Sequence, residues 1–183
     1  MSEPPRQPPF SALMEIAAKG QKFAAGLPAQ VEIQAQWSGV GFMLCGERFI
    51  APLTEVSELL GVPKFTTLPG VKSWVKGVAN VRGRLLPIID LNGFFGFSSL
   101  TPQARHRVLV LEQEEIYNGL IVDQVFGMHH FSVDTFKDEV EVRNQFLAPY
   151  LRGSYEKNDE RWTIFSLGDL AKDPNFYEVQ EIA

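Results

Sequence analysis

Short apolar runs, broken by glycine, proline and polar residues, occupy most of the chain beyond residue 40. Residues 41–45 and 48–53 flank Gly46-Glu47, a two-residue connection with glycine first, and read as a tight β-hairpin. Residues 78–81 and 85–89 flank an Arg82-Gly83-Arg84 turn. Residues 108–111 and 120–126 lie on either side of a polar stretch ending in Asn118-Gly119, and 150–155 and 162–167 flank the polar stretch 157–160. Four hairpin-like units are thus predicted. Helical periodicity is confined to the N-terminal part, where Phe10, Leu13, Met14, Ile16, Ala17 and Phe23 recur at helical spacing. Ser11 stands at the N-cap and Gly26 and Pro28 stop the pattern, which predicts an amphipathic helix over 11–25. Residues 54–60 are ambiguous between helix and strand, and 168–172 fit one closing helical turn before Pro174. Short strands at even spacing, with Gly and Pro between them, point to small barrels or a sandwich and away from a parallel α/β sheet. Nothing repeats at a fixed period.

The length of 183 residues suits one domain or two small intertwined lobes. With 45% hydrophobic residues and 14 phenylalanines there is ample apolar surface to bury, which excludes wholesale disorder. One cysteine, Cys45, cannot form an internal disulfide and fits a reducing compartment. No apolar run approaches the roughly 20 residues needed to cross a bilayer. The first nine residues hold four prolines and Glu3 where a secretory signal needs a basic start and an apolar stretch. The expectation is a cytoplasmic protein without membrane insertion, preceded by a proline-rich extended arm. The formal net charge of −5 hides a strong polarity: residues 68–107 carry a local +5, whereas 108–183 carry a local −9. Such a division suits two partners with different faces, or one face for nucleic acid.

Candidate chemistry is sparse. No glycine-rich run ends in Gly-Lys-Ser/Thr and no Gly-x-Ser-x-Gly elbow is present, so those routes to nucleotide hydrolysis and acyl transfer are unsupported. Asp90 and Asp123 each lie near the end of an apolar run, which makes an acid pair the catalytic idea to test. The simpler reading is a strand-end carboxylate accepting backbone N–H bonds. His129 and His130 are adjacent, so on a strand their rings face opposite sides and joint ligation of a metal is awkward. His106 stands alone, and Cys45 reads as a small buried hydrophobe. The basic tract with Trp74, Phe94 and Phe95 leaves a nucleic-acid-binding barrel as one alternative, and an Asp90-dependent hydrolase as another.

The tract 68–96 reads LPGVKSWVKGVANVRGRLLPIIDLNGFFG. Leu68-Pro69-Gly70 fixes a turn, Trp74 is a large apolar anchor, and Gly77 permits close backbone approach where a strand begins. Arg82 beside Gly83 displays a guanidinium at a hairpin tip, a good recognition element on a rigid support. Pro87 is expected at a strand edge or bulge because it cannot donate to a ladder. Asp90 ends the strand and is placed to cap the turn into 91–96.

This tract resembles the signature of the CheW-like domain, the small adaptor of bacterial chemosensory arrays, with matches at Pro69, Gly77, Val78, Asn80, Arg82, Gly83, Pro87, Asp90, Leu91 and Gly96. The 42–53 hairpin, the 119–125 run and Tyr150-Leu151-Arg152-Gly153 extend the resemblance over about 35–176. It leaves an N-terminal extension, 1–34, and a tail, 177–183. The extension, together with Gly153-Ser154-Tyr155 and the 165–176 segment, looks like the PilI-type adaptors of type IV pilus twitching-motility pathways. The resemblance implies an all-β fold of two intertwined five-stranded SH3-like barrels, with a short N-terminal helix and minor helical turns. It also implies a scaffold without catalytic site, cofactor or metal, and without nucleic-acid binding. Its implied partners are the cytoplasmic helical tip of a chemoreceptor, held between the barrels, and the regulatory domain of a CheA-type histidine kinase, met on the first barrel. Carried over by motif, Arg82 and Gly83 form the receptor-facing turn, and Val56 with Glu58 line the same groove.

Overall fold

Hairpin tips set the connectivity. Three of them place two successive residues at positive φ: Cys45 and Gly46 at 53° and 78°, Arg82 and Gly83 at 51° and 81°, Asn158 and Asp159 at 53° and 60°. That is the type I′ geometry, whose twist matches a pair of antiparallel strands. The structure is a computed structural model and describes residues 35–113, 116–141 and 143–179. The expected proline-rich arm, the helix over 11–25 and residues 180–183 of the tail lie outside the described residues.

The strands are β1 Gln36–Leu44, β2 Glu47–Pro52, β3 Glu58–Gly61, β4 Val75–Val81, β5 Arg84–Asp90, β6 Arg107–Gln113, β7 Ile116–Val122, β8 Gln124–Ser132, β9 Phe136–Lys137, β10 Leu151–Lys157 and β11 Glu160–Phe165. Among the described residues there are also three single-turn helices, α1 Leu91–Phe94, α2 Leu167–Leu170 and α3 Pro174–Tyr177, and a few 3-10 turns.

The strands form two mixed sheets, one six-stranded in the order β8-β1-β2-β11-β10-β9 and one five-stranded in the order β3-β6-β7-β5-β4. This corrects the expectation of two intertwined five-stranded SH3-like barrels. Each sheet contains one parallel pair, β2 with β11 and β5 with β7, which the run of consecutive hairpins in the sequence does not reveal. Neither sheet closes. The six-stranded sheet curls far enough for Phe131 of β8 to stack on Tyr155 of β10 at 5.0 Å, across three intervening strands. Its last strand, β9, has two residues, and no ladder joins it to β8. The five-stranded sheet is bridged by one pair, Thr66 with Val78, between β4 and the segment that follows β3. A strand of four residues ending at Gly61 is too short to make a full seam with β4.

Three apolar clusters result, and strand periodicity sorts residues among them. Val108 and Val110 of β6 pack inside the five-stranded sheet with Leu86 and Ile88, whereas Leu109 and Leu111 face the other way into the seam between the sheets. Consecutive side chains on a strand point to opposite faces, so a strand buried on both reads as an unbroken apolar run. The seam is the largest cluster, joining Phe42, Phe49 and Phe165 from the six-stranded sheet to Leu120, Val122 and Trp74. The third cluster, Ile50, Phe131, Tyr155, Trp162 and Ile164, fills the curl of the six-stranded sheet.

The signature tract is the five-stranded sheet's edge hairpin, β4–β5. Gly77 takes φ 140°, and a Cβ there would stand 2.0 Å from the carbonyl oxygen of Thr66, so the bridge to Thr66 depends on glycine. Val78 directs both its N–H and its C=O at Thr66. Its partner across the hairpin, Pro87, therefore occupies a non-hydrogen-bonded pair, and pairing of β5 with β7 begins only at Ile88. No ladder needs the N–H that Pro87 lacks. Trp74 is buried against Phe94 and Phe176, Asp90 caps α1, Gly96 ends that turn at φ 76°, and Pro69 lies in an exposed turn.

Candidate functional site: a hairpin tip beside an inter-sheet groove

Val81 and Arg84 pair at the end of β4–β5, leaving Arg82-Gly83 as the two-residue tip. The Asn80 side chain fastens it, its Oδ1 accepting the Gly83 N–H at 2.9 Å. A Cβ on Gly83 would meet nothing within 4 Å, so the tip is open to solvent. The Arg82 side chain is 79% exposed, and its Nη2 lies 2.5 Å from Oε1 of Glu58, whose side chain is 24% exposed. Glu58 opens β3, so this ion pair spans the two outermost strands of the five-stranded sheet. One strand position further along, Arg84 meets Glu112 at 2.7 Å and lies 3.8 Å over the ring of Tyr117. The hydrogen bond from Arg84 holds the Glu112 carboxyl below its usual range, helped by the Ser57 hydroxyl. Glu112 in turn raises Arg84.

The structure therefore brings Arg82, Gly83 and Glu58 together. Val56 does not join them in the open: it is half-buried and packs on the seam cluster. Its neighbour Glu55 explains why. The Glu55 carboxylate accepts the N–H groups of Leu167 and Gly168 at 2.6 and 3.1 Å and the Ser166 hydroxyl at 3.2 Å, clamping the β2–β3 connection onto α2. An apolar residue next to that clamp is drawn into the core.

Immediately beyond Glu58 the surface opens into a groove of about 410 Å³, lined by Leu59, Leu60, Gly61, Arg107, Val125, Phe126 and Gly127. One wall is the β3–β6 edge of the five-stranded sheet and the other is the start of β8 in the six-stranded sheet. These residues were not singled out from the sequence. The available signal was the 54–60 segment, where the apolar pair Leu59-Leu60 follows Glu58 and Leu59 is exposed. A second groove of about 490 Å³, more apolar, lies over β4, β5 and β7 and is edged by Leu68, Leu85 and Tyr177.

The candidate catalytic groups are engaged elsewhere. Asp90 accepts the Gly93 N–H at 3.3 Å and pairs with Lys76 at 3.2 Å. Asp123 is buried and accepts from Asn92 and Ser99. Burial, with Asp123 as the next contributor, pushes the Cys45 thiol up to about 12, which keeps it protonated and unreactive near neutral pH. His129 packs on Trp162 with ring centroids 4.4 Å apart, while His130 turns the other way to Ser38 at 2.7 Å. In the basic tract, Lys76, Arg82 and Arg84 each have an acidic partner, and Trp74 and Phe95 are buried in the seam. Phosphate contacts and base stacking would need those groups free.

These features define an interaction module: two open sheets around a common seam, with a charged hairpin tip beside a groove. Residues 38–175 match the CheW-like domain family. Over 173 residues the chain is 48% identical to Protein PilI of Pseudomonas aeruginosa, covering 94% of this chain and 97% of that protein. It is 27% identical to the chemotaxis protein CheW of Rhizobium meliloti over 114 residues, 62% of this chain and 74% of that one. Among solved structures, the scaffolding protein TtCheW from Thermoanaerobacter tengcongensis superposes with a TM-score of 0.66 at 22% identity, over 79% of this chain and 98% of that chain, a likeness of fold. The chain belongs to the CheW-like family and is a non-catalytic adaptor of the PilI type.

Proposed function

We infer that this adaptor couples a chemoreceptor to a CheA-type histidine kinase in a chemosensory array that controls twitching motility. The receptor's cytoplasmic helical tip lies in the groove between β3–β6 and β8, and the Arg82-Gly83 tip reads it from one end. The observation that supports this best is continuity: Glu58, which holds Arg82, is followed in the same strand by Leu59, Leu60 and Gly61 of the groove wall. An apolar trough with a guanidinium at its end suits an amphipathic helix that carries an acceptor at the matching position. The kinase's regulatory domain meets the sheet that begins the domain. Among the described residues no helix is long and apolar enough to cross a membrane; the proposed location is the cytoplasm, with recruitment to receptor arrays through the partners.

Mechanism in such a protein is assembly. Modest interfaces repeated in an array let a receptor change bias the kinase by differential affinity, with no bond made or broken in the adaptor. The test is co-sedimentation with receptor-bearing membranes and the kinase. Arg82→Glu places a second carboxylate beside Glu58 and is expected to reduce receptor binding while the chain stays folded. A folded Arg82→Glu variant that co-sediments normally overturns the assignment of the tip.

A further inference from the structure

Asp123 is the point at which the chain leaves one sheet for the other, lying between Val122, the last residue of β7, and Gln124, the first of β8. The residue is 2% exposed. Its Oδ1 accepts from Asn92 Nδ2 at 3.0 Å and from the Ser99 hydroxyl. Asn92 Oδ1 accepts the Cys45 N–H at 3.0 Å, which ties in the β1–β2 tip. On the outer side, Ser99 Oγ accepts the Thr101 N–H at 3.1 Å and lies 3.1 Å from His106 Nε2, itself 3.0 Å from the Thr101 carbonyl oxygen. A carbonyl oxygen only accepts, so Nε2 carries the hydrogen, which the Thr101 carbonyl and Ser99 Oγ share, while the Ser99 hydroxyl donates its own hydrogen to Asp123.

The place of this cluster matters more than its strength. His106 directly precedes Arg107, the first residue of β6, and Arg107 pairs with Gly61 at the end of β3. Asp123 stands two residues before Val125. Arg107 and Gly61 belong to one wall of the inter-sheet groove, Val125, Phe126 and Gly127 to the other. The chain from His106 through Ser99 to Asp123 therefore links the roots of the two walls. At the same point Arg107 pairs with Val122 in the β6–β7 ladder, and the 97–106 loop is tied by the Phe97 N–H to the Asn92 carbonyl at 2.8 Å and by Arg107 Nη1 to the Ala104 carbonyl at 3.1 Å; Leu100 beside Ser99 is almost fully exposed.

We propose that Ser99, His106 and Asp123 form a latch that fixes the separation of the groove walls, which makes Ser99 and His106 positioning residues for the apolar helical segment the groove receives. The proposal rests on the docking reading above. A groove held at its binding width spends less of the interaction free energy on ordering when the partner arrives. Without the Ser99 hydroxyl, the buried Asp123 carboxylate loses a donor and the 97–106 loop loses the residue that three groups share.

The test combines hydrogen–deuterium exchange on the free, full-length chain with binding of a soluble coiled-coil fragment of the chemoreceptor tip. Ser99→Ala and His106→Leu are expected to speed exchange about tenfold at 58–61 and 124–127 while leaving β10 and β11 unchanged. They are expected to weaken binding of the fragment about tenfold. Ser99→Thr keeps the hydroxyl and His106→Gln keeps a donor, and both are expected to recover most of each loss. Wall exchange that stays at the wild-type rate, or that rises uniformly over the whole chain, overturns the latch. Should Ser99→Ala fail to fold, His106→Leu at its half-buried position gives the same readout. If both walls loosen as expected but the wild-type chain does not bind the fragment, the docking reading fails and the positioning role fails with it.

Discussion

The two ends of the β4–β5 hairpin lie a few residues apart in the signature tract and are built on opposite principles. At the root, Gly77 is pressed against the backbone at Thr66, Trp74 is buried among Phe94 and Phe176, and Asp90 caps α1 while pairing with Lys76. At the tip, Arg82 accepts a left-handed backbone, its side chain is mostly in water, and a Cβ on its neighbour Gly83 would touch nothing. Root residues hold the sheet; tip residues are held by it. A shared motif therefore does not imply a shared role, and substitutions along it should divide into those that unfold the chain and those that only disarm it.

The root should show the largest losses of stability. Trp74→Ala empties a site bordered by two aromatic rings in the seam and is expected to cost about 3–5 kcal/mol in chemical denaturation. Gly77→Ala comes next, at roughly 3 kcal/mol, because overpacking against a backbone carbonyl adds to the penalty of a positive φ. A Gly77→Ala chain that unfolds at the wild-type denaturant midpoint would break the comparison at its strongest point. Asp90→Ala removes one cap and one half-exposed ion pair, so about 1 kcal/mol is expected. Receptor binding by the folded fraction should persist in all three.

How much of this was legible in the sequence follows the same division between local and distant. Tip chemistry is local: an Arg-Gly pair between apolar runs predicts a hairpin, and Asn80 is close enough in sequence to fasten it. The crossing at Asp123 was not legible. Residues 120–126 read as one continuous strand, because β7 buries both its faces and the apolar run carries on into β8 with one buried acid between them. The open edges were hidden for a related reason. Hairpins reveal antiparallel neighbours, whereas the β2–β11 and β5–β7 parallel pairs join segments far apart in the chain. The groove has the same origin, with one wall around residue 60 and the other around residue 126, and nothing in either stretch names its counterpart. Ser99 and His106 sit in a polar loop whose pattern is that of any solvated connection.

The smallest expected change in stability is also the sharpest test of the comparison. Arg82 lies at φ 51°, a conformation that disfavours most side chains, and it precedes Gly83. Arg82→Asn creates Asn-Gly, the pair best suited to a type I′ tip, so the turn loses strain as it loses the ion pair to Glu58. An exposed ion pair contributes between about 0 and 1 kcal/mol, which the relief of the turn should roughly offset. The thermal midpoint should therefore stay within about 2 °C of wild type. Receptor co-sedimentation should fall nonetheless, because asparagine carries neither the charge nor the reach of a guanidinium. If the variant keeps its stability and still binds, the tip is only a turn and recognition resides in the groove walls. If it loses stability as the root variants do, the tip belongs to the framework and the division between the two ends fails.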